Sequence, residues 1–146
     1  MSAAEQEVLQ RIRTPIGGVM PDMAAAVWPK IEPLLDRVVT PDSGFSTAAI
    51  LEGVKSGTMQ LWVIGDFQAV VVSYIQVRPL HKVLWMQFIA GEEMREWLED
   101  WIVFIEGFAR HHDCEAIEFS GRKGWLRRLK SHPEYRPVMT IFRREL

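Results

Sequence analysis

Four residues with metal-ligand chemistry stand side by side at His111-His112-Asp113-Cys114. Adjacent side chains do not readily converge on one tetrahedral ion, and no C-x-x-C pair completes a site. With Arg110, the two histidines read better as cations at a helix C-terminus, where the dipole favours them. Cys114 has no base at a recognisable spacing and reads as a small buried residue at a strand start. Gly121-Arg122-Lys123-Gly124 has the G-x-x-G form of a KH-type nucleic-acid loop. A KH loop joins two helices, whereas a strand precedes this one. It reads as a strand-to-helix turn whose amides, with Arg122 and Lys123, are suited to a phosphate of a cofactor or of RNA. There is no P-loop, no dinucleotide fingerprint and no G-x-S-x-G. Of the six tryptophans, Trp28, Trp97 and Trp101 fit buried helix faces. Trp62 and Trp85 alternate with other apolar residues on strands, where an outward indole would mark a partner surface.

The elements that must position these groups follow from periodicity. Glu7 to Thr14 fits a short strand with Val8, Gln10 and Ile12 on one face, or part of a helix, ended by Pro15 and Gly17-Gly18. Pro21 to Val39 has apolar residues at three- and four-residue spacing and reads as a helix that Pro29 and Pro33 kink or split. Ser46 is the expected N-cap of a second helix through Ile50 and Val54, closing near Gly57. The period then changes to that of strands: Met59 to Ile64, Ala69 to Val77 and Lys82 to Ala90, joined by short turns as an antiparallel meander. Glu92 to His112 is the clearest helix, with a stripe from Met94 through Trp97, Trp101 and Ile105 to Ala109. A strand over Ala116 to Ser120, a helix from about Trp125 to Lys130 and a final strand over Val138 to Arg143 complete the chain. Strand, helix, strand from residue 82 to 120 is a crossover unit, so its strands should be parallel. The fold class expected is α+β: a mixed central sheet, an antiparallel meander plus a parallel pair at the long helix, helices on both faces.

At 146 residues, 48% hydrophobic and 25% charged, the chain fits a single domain over 1–146. That composition excludes a disordered, collagen-like or disulfide-built chain. No apolar run approaches a membrane span, and no secretory signal is visible at the N-terminus. A lone cysteine is simplest in a reducing, cytoplasmic setting. The net charge of −2 makes nucleic acid an unexpected partner for the molecule as a whole. Charge is split, however: residues 120–146 hold eight basic against two acidic residues, a net +6, and the first 119 hold nine against seventeen, a net −8. The basic end reads as a solvated face or an anion-binding one.

The order of elements, the segment Glu106-Gly107-Phe108-Ala109-Arg110-His111-His112-Asp113-Cys114-Glu115-Ala116-Ile117 and the segment Trp125-Leu126-Arg127-Arg128-Leu129-Lys130 with Glu134-Tyr135 resemble the GCN5-related N-acetyltransferases. The likeness covers most of the chain. The Cys114, Gly121-Arg122, Trp125 spacing looks most like the divergent acetyltransferase-like proteins of phages and prophages. The resemblance implies an N-acyltransferase that moves an acetyl or acyl group from acyl-CoA, with acetyl-CoA as cofactor, to a primary amine. It implies that Met86, Gln87 and Phe88 flank the thioester in a gap between the fourth and fifth strands. Gly91 would start the helix at the pyrophosphate, and Arg95 and Arg122 would add positive charge. Here Glu92-Glu93 stands at the phosphate position, the second glycine of the family's loop is missing, and no tyrosine lies near Lys130 to protonate the thiolate. Glu118 is the implied catalytic base. The alternative implied by these departures is a non-catalytic protein of the same fold that binds a protein partner.

Overall fold

The computed structural model describes residues 2–146, apart from the side chains of Glu5, Val8 and Leu9. The expected placement of Val8 with Gln10 and Ile12 therefore lies in part outside the described residues. The backbone there is helical: α1 spans Ala3–Gln10, as suits a run of alanine, glutamate and glutamine. A short strand, β1, follows at Ile16–Gly18. The link between them is pinned to the long helix, where the Asp100 carboxylate accepts hydrogen bonds from the backbone N–H of Thr14 (2.9 Å) and Arg13 (3.3 Å).

A 3₁₀ turn at Pro21–Met23 leads into α2, Ala24–Leu35, which runs unbroken through Pro29 and Pro33. The expected split does not occur. The two prolines lie one turn apart on the exposed side of the helix, so the carbonyls they leave without N–H partners face water, and the apolar side stays seated. α3, Thr47–Lys55, begins at Ser46, whose hydroxyl accepts from the Ala49 N–H at 3.1 Å. The strands β2 (Gln60–Ile64), β3 (Ala69–Val77) and β4 (Lys82–Gly91) form the antiparallel meander. Then α4, Met94–His111, crosses to β5, Ala116–Phe119, which pairs with β4 in parallel. The sheet order is β1-β2-β3-β4-β5.

Alternation along the strands feeds two cores. Trp62, Ile64, Val71, Leu84 and Met86 pack on one face against Trp97, Trp101 and Ile105 of α4. Leu61, Val70, Val72, Phe88 and Ala90 pack on the other against Trp28 and Ile31 of α2 and Ile50 and Val54 of α3. The buried Ser73 is satisfied within the first core, accepting from Trp62 Nε1 at 2.9 Å and donating to Gln60 Oε1 at 3.0 Å.

α5, Gly124–Arg128, is shorter than expected, and the expected strand over Val138–Arg143 is not formed. Just before it, His132 and Tyr135 are held on α4, by Glu99 and Glu106. At its last residue, Arg143 Nη1 donates to the Asp42 carbonyl in the α2–α3 connection, at 3.0 Å. The segment therefore passes from one face of the sheet to the other instead of running along β5. Pro137 also withholds one ladder N–H.

At the end of β4, Gly91 lies against the β2–β3 turn: a Cβ there would stand 2.4 Å from Ala69 Cβ and 2.6 Å from the Gln68 carbonyl. Both neighbours are rigid. Gly91→Ala is expected to lower stability by about 1–3 kcal/mol through overpacking, read by chemical denaturation. An unchanged midpoint would contradict the tight approach.

Candidate functional site: an opening between two strands

β4 and β5 pair through four registers, Val83↔Ala116, Leu84↔Ile117, Trp85↔Glu118 and Met86↔Phe119. β5 then stops, and β4 continues to Gly91 without a neighbour on that side. The β3–β4 ladder shifts register at the same level. Val72 opposes Phe88 while Ser73 opposes Met86, so Gln87 is an extra residue on β4. Such a bulge bends and twists its strand, here where β5 departs.

On the α4 face the opening is apolar. Met86, Ile89, Leu98, Trp101, Phe119, Trp125, Leu129 and Tyr135 are among the residues around a void of about 10 Å³, room for one water at most. Trp125 packs edge-on against Phe119, with ring centroids 5.1 Å apart. Gly121 permits this, since a Cβ on it would fall 2.4 Å from the Trp125 ring. The G-x-x-G turn thus owes its first glycine to the indole. Arg122, Lys123 and Arg127 point into solvent around it.

The opposite face carries a polar cluster. By alternation Tyr74 and Gln76 share the face of Val72, but they lie beyond the cover of α2 and α3. Gln87 Oε1 accepts from Trp85 Nε1 at 2.8 Å and from the Tyr74 hydroxyl at 3.4 Å, and Gln76 Nε2 donates to Tyr74 at 3.2 Å. Arg78, in the β3–β4 turn, donates to Gln76 Oε1 at 2.6 Å and grips Glu118 with two nitrogens, at 2.7 and 3.3 Å. The hydrogen bond to Glu118 raises the Arg78 pKa above its ordinary value. Both Glu118 oxygens are taken up, so an incoming amine meets a carboxylate already in an arginine fork.

At the start of α4, Glu93 has the left-handed φ of 54° and no side chain caps the helix. Glu92 pairs with Arg37 at 2.9 Å, Glu96 accepts from Gln68 at 2.8 Å, and Trp97 Nε1 donates to the Glu92 carbonyl at 2.7 Å. Of Glu92 and Glu93, the carboxylates expected to crowd an anion, Glu92 is thereby turned onto a partner. Arg95 is exposed beside them.

The structure thus brings Met86 to the opening on the α4 face and Gln87 and Glu118 to one cluster on the other face. Phe88 goes elsewhere, into the core under α2 and α3, where it meets Phe45 edge-on at 5.6 Å. Gly91 sits under the β2–β3 turn, and Arg95 and Arg122 lie on the surface. Sequence reading missed Arg78, Gln76 and Trp85 as a unit. The available signal was the alternation of Tyr74 and Gln76 toward one face of an otherwise apolar strand. At the end of α4, His112 packs on Phe108 at 4.3 Å. Cys114 is half-buried, and burial pushes its thiol up. Among the described residues no three His, Cys, Asp or Glu side chains are grouped to hold a metal ion. Among them also, no helix is long and apolar enough to cross a membrane.

No protein-family model matches the sequence, and no curated protein matches it by sequence. Solved structures do match in three dimensions. One is an aminoglycoside acetyltransferase from an uncultured soil metagenomic sample, in complex with sisomicin, with a TM-score of 0.70 and 12% identity over 91% of this chain and 96% of that one. Another is a ribosomal-protein-alanine N-acetyltransferase from Brucella melitensis, with a TM-score of 0.62 and 9% identity over 92% of this chain and 98% of that one. A third is a predicted acetyltransferase with acetyl-CoA from Clostridium acetobutylicum, with a TM-score of 0.62 and 8% identity over 91% and 96%. The fold is therefore that of the GCN5-related N-acetyltransferases, spread over nearly the whole chain.

The cover over the opening is held by a clasp that titrates. His132 Nε2 lies 2.9 Å from Glu99 and Nδ1 3.2 Å from Glu134, and the Tyr135 hydroxyl donates to Glu106 at 3.0 Å. The Glu99 contact raises the His132 pKa above its ordinary 6.5, the Glu134 contact assists, and burial opposes both. Burial, then Glu106, raises that of Tyr135. A raised histidine pKa stabilises the folded state fully below 6.5 and progressively less as pH climbs through the elevated value. Amide exchange across residues 124–135 is expected to quicken over that range, and His132→Gln to remove the dependence. Exchange that ignores pH beyond its intrinsic rate would contradict the clasp.

Proposed function

We infer that the chain is an N-acyltransferase that takes an acyl-CoA thioester at the opening between β4 and β5 and passes the acyl group to a primary amine. The observation that carries this reading is the stretch of β4 from Gln87 to Gly91 that has no partner on its β5 side, at the mouth of an apolar cleft. Its free N–H and C=O groups are suited to the amides of an extended pantetheine arm, and the cleft wall of Met86, Ile89 and Phe119 to its methylenes. The cleft as it stands has no room for that arm, so Trp125 and Leu129 must move aside with α5. The amine approaches from the Tyr74, Trp85 and Gln87 face. An ammonium group there competes with Arg78 for Glu118, and the carboxylate so released accepts the proton. The amine nitrogen then attacks the thioester carbonyl, the C–S bond breaks, and the thiolate leaves to be protonated by solvent.

Support comes also from the solved acetyltransferases, one of them with acetyl-CoA and one with an aminoglycoside. A second reading, a non-catalytic phage- or prophage-type protein that binds a protein partner, is favoured by the filled cleft and by the engaged Glu118. Titration with acetyl-CoA separates them. Saturation at about a hundred times the dissociation constant should stabilise the fold by about 2.7 kcal/mol, seen as a rise in melting temperature. Glu118→Gln should keep that rise and lower turnover by about 10²–10⁴-fold. No thermal shift at millimolar acetyl-CoA would leave the binding-protein reading in its place.

A further inference from the structure

The charged groups of the polar cluster are one cation and one anion, and they meet each other. The Arg78 fork holds both Glu118 oxygens, at 2.7 and 3.3 Å. Gln76 Oε1 accepts from Arg78 Nε and Nη2, at 3.1 and 2.6 Å, so the guanidinium keeps a seat when Glu118 lets go. The pair is open to a ligand, its side chains being 36% and 27% exposed. Trp85 stands opposite Glu118 in the β4–β5 register, and Trp85 and Tyr74 are only half-buried. Their polar atoms are committed to Gln87, at 2.8 Å from the indole N–H and 3.4 Å from the hydroxyl. That leaves the ring faces for an apolar group.

A ligand that opens this pair has two halves to satisfy. A simple ammonium takes Glu118 and leaves the guanidinium with Gln76 alone. A simple carboxylate takes Arg78 and leaves Glu118 bare. A molecule with ammonium and carboxylate on one carbon replaces both partners at once, and two charge-assisted contacts stand where one stood. It also enters without changing the net charge of the site. We propose that the acceptor is a free α-amino acid with an apolar or aromatic side chain. Its ammonium sits on Glu118, its carboxylate in the Arg78 fork and its side chain against Trp85 and Tyr74. This rests on the acyl-transfer reading and narrows its primary amine to that class. The ammonium gives one proton to Glu118. The nitrogen lone pair forms the C–N bond with the thioester carbonyl carbon, and the C–S bond breaks with its electron pair on sulfur. The second nitrogen proton passes to solvent, and the thiolate takes one from it. The products are an N-acyl amino acid and the CoA thiol. The amide nitrogen carries no charge, so Glu118, once it has lost its proton to solvent, returns to Arg78 and displaces the product carboxylate.

Calorimetric titration of the full chain with L-phenylalanine, L-phenylalaninamide and 3-phenylpropanoate, alone and with CoA, reads the site by itself. L-phenylalanine should bind about tenfold more tightly than either of the others, since each lacks one charge-assisted contact. Arg78→Met should remove the preference over the amide, and Glu118→Gln the preference over the propanoate. Either variant decides, provided its circular dichroism spectrum is kept. With acetyl-CoA, thiol release should favour L-phenylalanine over the amide in the same way. Equal binding of L-phenylalanine and its amide by the native chain overturns the proposal, as does a preference that survives both variants. So does failure of L-phenylalanine to bind; joined to a rise in melting temperature with acetyl-CoA, that result leaves acyl transfer standing with another acceptor. Selective binding of L-phenylalanine with no response to acetyl-CoA removes the acyl-transfer reading and upholds the amino-acid site.

Discussion

Everything of functional interest in this molecule depends on where two parallel strands part company. Backbone N–H and C=O groups inside a sheet are nearly always paired, because an orphaned one costs as much as a lost hydrogen bond. β4 nonetheless continues five residues beyond its last β5 partner, from Gln87 to Gly91. Three features make the divergence hold. The extra residue at Gln87 bends β4 at that level. Gly121 lets the chain after β5 swing away with Trp125 against it. The β2–β3 turn closes over Gly91 and fixes the far end of β4. The result is one gap with two characters, an apolar cleft toward α4 and a hydrogen-bonded cluster of Tyr74, Trp85, Gln87, Arg78 and Glu118 on the other side.

The cleft is filled by its own chain. Trp125 enters from α5 and Leu129 from the position just after it, and the contacts of His132 and Tyr135 with carboxylates of α4 hold them there. None of these contacts lies deep in a core. A cover held by a few part-exposed polar contacts belongs to the low-stability end of a structure, from which movable elements are drawn. The engaged Glu118 is a related case. A carboxylate in an arginine fork is a poor base until a competing cation loosens the fork, so substrate and proton acceptor are coupled through Arg78.

Elements whose identity rests on long periodicity were legible in the sequence: the α4 stripe, the meander and the Ser46 cap. The crossover then required β4 and β5 to be parallel. What escaped depended on more than local pattern. The first residues suited helix or strand equally, and their helix-forming composition prevailed. Pro29 and Pro33 looked disruptive until their shared solvent side was visible. The Val138–Arg143 segment has a strand's composition, but a strand needs an available neighbour, and the anchors at Tyr135 and Arg143 direct it elsewhere. At the site, Met86 and Glu118 could be placed by counting along strands. The bulge at Gln87 could not, and it reverses the faces on which the residues after it, Phe88 and Ile89, lie. Arg78 reaches Glu118 across 40 residues of sequence, a pairing that no spacing rule anticipates.

The most direct measurement is amide hydrogen exchange, residue by residue, with and without acetyl-CoA. If the unpaired edge of β4 is a thioester-binding edge, exchange should slow at alternate amides of Gln87–Gly91 and quicken across Gly124–Tyr135 as the cover is displaced. Protection confined to other parts of the chain, or none at saturating ligand, would mean that the parted strands form an architecture without a binding role.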